Sequence, residues 1–67
     1  MRFGVGVHNP PGLYAFAPVT KGLVRPQLTS IEEDACSFSE IMAAISFASL
    51  LRKEFGLGTH VYVTNEP

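Results

Sequence analysis

The stretch Ser37-Phe38-Ser39-Glu40-Ile41-Met42-Ala43-Ala44-Ile45-Ser46-Phe47-Ala48-Ser49-Leu50-Leu51-Arg52-Lys53-Glu54-Phe55-Gly56 decides the fold. Ser37 and Glu40 have the Ser-x-x-Glu spacing of a capping box, in which the two side chains satisfy unpaired amide donors at a helix start. Cys36 and Ile41 flank it where a hydrophobic staple would sit. The spacing predicts a helix running to about Phe55, with Arg52 and Lys53 in its last turn to complement the dipole. Gly56 then stands where a left-handed cap is expected. At about 100° per residue, Ile41, Ala44, Ile45, Ala48, Leu51 and Phe55 form one broad apolar stripe, predicted to lie on a sheet. Ala43, Phe47 and Leu50 fall on a second side, flanked by Glu40 and Glu54 and by Ser39 and Ser46. One sheet cannot cover both sides. Either the segment 20–35 wraps Phe47 as a satellite cluster, or Phe47 and Leu50 form a sticky contact surface.

On the N-terminal side, residues 2–8 alternate, with Phe3, Val5 and Val7 on one face and Gly4, Gly6 and His8 on the other. Glycines inside a strand mark places where another backbone or a ligand approaches closely. Asn9-Pro10-Pro11-Gly12 breaks the pattern with a rigid turn. Residues 13–19 predict a second strand: Leu13, Ala15, Ala17 and Val19 share one face, Tyr14 and Phe16 the other, and Pro18 limits its far end. Thr20-Lys21-Gly22 reads as a hairpin turn, and Leu23 to Leu28 as an edge-like third strand interrupted by Pro26. Thr29 to Ala35, with Glu32, Glu33 and Asp34 in succession, reads as a solvated connection or short helical turn. After the helix, residues 59–64 alternate again, Val61 and Val63 on one face and His60, Tyr62 and Thr64 on the other. The expected architecture is a single two-layer α+β domain over residues 1–67. One amphipathic helix packs on a three- to four-stranded, mainly antiparallel sheet in the order β-β-(β)-α-β.

Composition narrows the function. The chain has 67 residues, 46% of them hydrophobic and 16% charged, with a net charge of −1. Intrinsic disorder needs few apolar residues and high net charge, so it is excluded. Near-zero charge argues against nucleic acid or an anionic membrane as the main partner. The longest apolar run, Ile41 to Ile45, falls far short of the roughly 20 residues of a membrane span. Asn9, Pro10 and Pro11 interrupt any apolar stretch of signal-peptide length. A single cysteine, Cys36, allows no internal disulfide; small secreted domains usually carry several, so a reducing, cytoplasmic setting is the expectation.

Pointing Phe3, Val5, Val7, Val61 and Val63 at the helix turns His8, His60 and Tyr62 outward, where Tyr14 and Phe16 join them. An aromatic outer face suits a protein contact, because tyrosine and phenylalanine are enriched and charge depleted at interface centres. Single-stranded nucleic acid, stacking its bases on the same rings, is the alternative. Against it, Arg2, Lys21, Arg25, Arg52 and Lys53 are scattered among six acids.

A third reading gives Cys36 and the two histidines metal or thiol chemistry, for which a helix N-terminus would lower the thiol pKa. His8 and His60 approach each other if the first and last strands are neighbours, yet a structural zinc site wants four ligands. The default is a pair of surface histidines and a half-buried cysteine. Glu32, Glu33 and Asp34 lack the ligand spacing of a calcium loop. Neither Phe3-Gly4-Val5-Gly6 nor Phe55-Gly56-Leu57-Gly58 lies between a strand and a following helix, so no nucleotide cradle is expected.

The stretch Ser37-Phe38-Ser39-Glu40-Ile41-Met42-Ala43-Ala44 resembles the capped helix opening of compact antitoxin-like and phage-encoded regulatory proteins. That resemblance implies binding and inhibiting a larger protein, or forming a dimer that does so. The expectation is therefore a non-catalytic protein-binding module without cofactor or bound metal, homo-oligomeric or docked on a protein partner. Its contacts are expected from Tyr14, Phe16, Tyr62, His8 and His60 on the sheet and from Phe47 and Leu50 on the helix.

Overall fold

A computed structural model describes residues 1–16 and 25–64. The elements in order are β1 (Arg2–Asn9), β2 (Leu13–Ala15), β3 (Leu28–Thr29), a 3-10 turn (Glu32–Asp34), β4 (Ser37–Phe38), α1 (Ile41–Phe55) and β5 (Gly58–Thr64). This is the expected α+β arrangement, one helix packed against an antiparallel sheet. The Thr20-Lys21-Gly22 turn and the far end of the predicted second strand lie outside the described residues. So does the start of the predicted third strand; residues 25–27 are not strand, and the pairing with β2 is made by Leu28, the last residue of that prediction, together with Thr29 from the predicted connection.

β1 is the axis of the sheet. β5 pairs antiparallel with it along nearly its whole length, from Arg2↔Thr64 to Asn9↔Gly58. A strand has two edges, so β2 and β4 share the other: β4 takes Phe3 and Gly4, and β2 takes Gly6 and Val7. The seam between these two short strands is closed where the Cys36 amide donates to the Ala15 carbonyl at 3.0 Å.

β4 is a correction to the sequence reading. Ser37 and Phe38 are strand residues, not the start of a helix. Ser37 Oγ accepts from Arg2 Nε at 2.6 Å, and the Ser37 carbonyl accepts from Arg2 Nη2 at 2.9 Å. The position that precedes the helix is Glu40, with extended backbone and no capping hydrogen bond from its side chain. The hydroxyl of Ser37 therefore satisfies a cation across the sheet instead of a helix amide. The capped opening that carried the resemblance to small regulatory proteins is not formed.

The other end of α1 follows expectation. Gly56 adopts φ 66°, ψ 24°, and its amide donates to the Arg52 carbonyl. The Leu57 amide reaches the Leu51 carbonyl at 3.5 Å, and Leu57 packs back on the core. Such a left-handed ending reverses the chain within two residues and sends it straight into β5.

The core comprises Val5, Ala15, Ala44, Phe47, Ala48 and Leu51, with Phe3, Cys36, Phe38, Phe55, Leu57 and Val61 packed around it. Odd-numbered residues of β1 and β5 face the helix, as their alternation predicts. The rotation of the helix differs from the expected one. Phe47 is only 7% exposed and meets Phe38 of β4 at a centroid distance of 5.5 Å. Ile41 and Ile45, expected within the buried stripe, are 48% and 40% exposed. The physical reason is the pair Ala44 and Ala48, both buried. Two small side chains let the helix axis come close to the sheet there, and the bulky residues on either side divide. Phe47 finds a partner in β4, a strand the sequence reading did not contain, while the isoleucines are rolled off the opposite flank.

Candidate functional site

The outer face of the sheet is built from what β1 lacks. Gly4 and Gly6 face outward there, opposite Tyr62 and His60 of β5, and Gly6 also lies opposite Tyr14 of β2. The neighbouring rings fold flat across the bare backbone. A Cβ on Gly4 would run into the Tyr62 phenol ring, and one on Gly6 would sit 2.6 Å from His60 Nε2. The same relation holds in the other direction at Gly58, whose Cβ would sit 2.9 Å from His8 Nε2. Three glycines thus each receive a ring from the adjacent strand, an arrangement that restores the contacts a glycine otherwise forfeits in a sheet.

Freed from intervening side chains, the rings meet one another over β1. Tyr14 and Tyr62 contact edge to face with centroids 5.8 Å apart. Tyr62 and His60 lie 6.3 Å apart, and His60 and His8 stack at 5.4 Å. The sequence placed Tyr14, Tyr62, His8 and His60 on one face, and the structure brings all four into one row. It also shows why half of this face needs no visitor: Tyr14 and Tyr62 are half-buried against glycine backbone and each other, and only the histidines are exposed. Phe16, just beyond β2, is exposed and makes none of these ring contacts. The signal that locates the rings is the register, since Gly4 and Gly6 fall opposite Tyr62 and His60 once the first and last strands are paired.

A cavity of about 260 Å³ is lined by Glu32, Glu33, Ala35, Cys36, Ser37, Tyr62, Val63 and Thr64. Thr64 Oγ1 is buried there without a hydrogen-bond partner among the described residues. Cys36 does not act as a low-pKa thiol at this position. Burial pushes its pKa up from the ordinary value, although a backbone hydrogen bond works in the opposite direction. A nucleophilic cysteine needs the reverse, an electropositive site that favours thiolate. Cys36 is also separate from the histidines, since no group of three His, Cys, Asp or Glu among the described residues is placed to hold a metal ion. The combined Cys36–histidine site of the sequence reading is not assembled.

The helix side carries the larger correction. Phe47 belongs to the core, so it offers no contact surface, and Leu50 is half-buried. The exposed apolar surface lies on the other flank, made of Ile41, Ile45 and Met42, the last 65% exposed. On a helical wheel this flank also carries Arg52. Arg52 Nη2 donates to the Thr59 carbonyl at 3.2 Å, which identifies the flank as the one overlying β5. The buried Thr59 hydroxyl donates to the Ala48 carbonyl at 2.9 Å and fixes the helix to that strand. Because α1 and β5 run in opposite directions, the N-terminal half of the flank overlies the end of β5, where Val63 is 55% exposed on the same side of the sheet. Among the described residues, β5 pairs only with β1, leaving its outer edge open. Its sequence, Gly58-Thr59-His60-Val61-Tyr62-Val63-Thr64, contains no lysine, acid or proline of the kind that protects an exposed edge.

No family model matches this chain, and neither a curated protein nor a solved structure matches it. Among the described residues, no helix is long and apolar enough to cross a membrane.

Proposed function

We propose that the protein is a non-catalytic binding module that pairs through the open edge of β5 and the aliphatic flank of α1, and that its partner is a second copy of the same chain. The observation that carries this reading is the adjacency of the two features: a seven-residue strand that, among the described residues, pairs in the sheet with β1 alone, next to Ile41, Met42, Ile45 and Val63, all at least 40% exposed. An antiparallel strand turns its backbone amides and carbonyls alternately to its two sides, so half of those of β5 point away from β1. A second β5 satisfies them. Two such edges meeting antiparallel about a two-fold axis make one continuous sheet, with both helices on the same face and their flanks in contact.

Charge favours a second copy as the occupant. A two-fold contact presents the same patch from both sides, with residues at the axis meeting their own copies, which a patch charged at its centre resists. Arg52, between Ile41 and Ile45 on the helical wheel, is occupied with Thr59, and Lys53 lies at the margin of the flank beside Met42. Magnitudes favour a combined surface over the flank alone. Covering the exposed part of each of the four apolar side chains contributes on the order of 1 kcal/mol, or roughly 8 kcal/mol over two copies. Association costs about 4 to 15 kcal/mol in lost freedom. The aliphatic flank alone is therefore marginal, and the strand hydrogen bonds decide the outcome. The resulting dimer is weak and concentration-dependent.

Light scattering across a concentration series tests this directly. The wild-type mass is expected to rise toward twice that of one chain, and Ile45→Glu to hold it at one chain with an unchanged circular dichroism spectrum. A single-chain mass at every concentration, or a dimer that survives Ile45→Glu, removes the proposal.

A further inference from the structure

We propose that His8 and His60 form a two-nitrogen clip for a borderline divalent transition ion, Cu²⁺ or Zn²⁺, on the exposed outer face. Their Nδ1 atoms lie 3.2 Å apart. With metal–nitrogen bonds of about 2.0–2.1 Å, two imidazoles on a tetrahedral ion span about 3.3 Å, and at right angles about 2.9 Å. The observed separation falls between these values, so an ion fits with small ring rotations and no backbone movement.

Three features of the strands produce this placement. β1 advances two residues, from Val7 to Asn9, while β5 advances one, from Thr59 to Gly58, so His8 is the extra residue of a β-bulge. A bulge re-aims the side chain it carries, here toward β5. Each ring then lies over a glycine of the other strand, His60 over Gly6 and His8 over Gly58, with Nε2 the atom nearest the glycine in both cases. The two Nδ1 atoms are thereby brought within 3.2 Å of each other. The rings are stacked, 30° from parallel.

Without metal, the short contact is a hydrogen bond in which one Nδ1 donates its proton and the other accepts. When an ion enters, that proton moves from Nδ1 of the donor ring to its own Nε2. Both rings then remain neutral and both Nδ1 lone pairs bind the ion, with no net proton released. Among the described residues, no third His, Cys, Asp or Glu joins the pair, so water completes the coordination shell. This is an open site, unlike the closed four-ligand sites that hold structural zinc. Imidazole donors suit copper and zinc, and the divalent series places Cu²⁺ above Zn²⁺ in affinity; Ca²⁺, which takes oxygen ligands, is the control.

The test uses the whole chain with Cu²⁺, Zn²⁺ and Ca²⁺ as probes. Cu²⁺ binding is read by quenching of tyrosine emission, since Tyr62 lies 6.3 Å from His60, and Zn²⁺ binding by calorimetry. Wild type is expected to take one ion per chain, with Cu²⁺ tighter than Zn²⁺ and no Ca²⁺ uptake. Losing either histidine removes the effective-concentration gain of a tethered second ligand, so His8→Ala and His60→Ala are each expected to weaken binding about a hundredfold. Cys36→Ala is expected to bind as wild type does. Both histidines are exposed, and circular dichroism checks that the variants fold. Undiminished binding in either histidine variant, loss of binding in Cys36→Ala, or no Cu²⁺ uptake by wild type overturns the proposal.

Discussion

Small residues shape both faces of this protein, with opposite results. On the outer sheet face, Gly4, Gly6 and Gly58 leave bare backbone, and rings from the neighbouring strands fill it. On the helix, the buried Ala44 and Ala48 draw α1 onto the sheet and leave Ile41 and Ile45 uncovered on the flank. Glycine in a strand opens lateral space that the next strand can reach. Alanine in a helix shortens the distance to the sheet, and a long side chain beside the contact then has nowhere to go but outward. The polar-looking face of the sheet is therefore largely covered by its own rings, and the helix flank beside β5 is left exposed.

The largest effect is expected from Phe47→Ala. If this ring is core, as its contact with Phe38 indicates, its loss costs about 3 to 5 kcal/mol, which a domain of this size barely survives. Thermal denaturation measures it, and a change below about 1 kcal/mol would return Phe47 to the surface. Gly4→Val comes next. Its side chain must displace the Tyr62 ring, at a cost of about 1 to 3 kcal/mol as for other overpacked sites. Here the companion variant sharpens the point, because combining Gly4→Val with Tyr62→Ala should recover part of the loss. If the double variant is merely additive, the ring does not rest on the glycine.

Ser37→Ala should cost less, about 0.5 to 1.5 kcal/mol, by removing the hydroxyl that accepts from Arg2. Denaturation of Ser37→Ala and Arg2→Met singly and together would measure the coupling. The smallest effect concerns pH. Burial raises the Cys36 pKa in the folded chain, so the unfolded chain releases this proton first. The contribution is complete below the ordinary thiol pKa of about 8.5 and declines as pH rises through the folded value. Cys36→Ala should therefore flatten the alkaline fall in stability, and an identical pH profile in the variant would contradict the assignment.

What was legible in the sequence follows from how local its cause is. Alternation in residues 2–8 and 59–64 depends only on which side each residue faces, and β1 and β5 appear where it predicts. Arg52, Lys53 and Gly56 mark the helix end because a left-handed glycine and a basic last turn are local devices. β4 was not legible: two residues have no period, and Ser37–Phe38 are a strand only because Phe3 and Gly4 lie beside them. Without β4, Phe47 has no visible partner in the sequence, because Phe38 reads there as part of the helix opening. The outer face was half legible. The glycines signalled a close approach, and the identity of the approaching rings required the register between β1 and β5.

Amide hydrogen exchange of β5 at low and high protein concentration reads the proposed joining of two copies through the edge of β5 that faces away from β1. The account predicts that the β5 amides pointing away from β1 exchange quickly in dilute solution and slow as concentration rises, while those bonded to β1 change little. Fast exchange at those same amides at every concentration would contradict it.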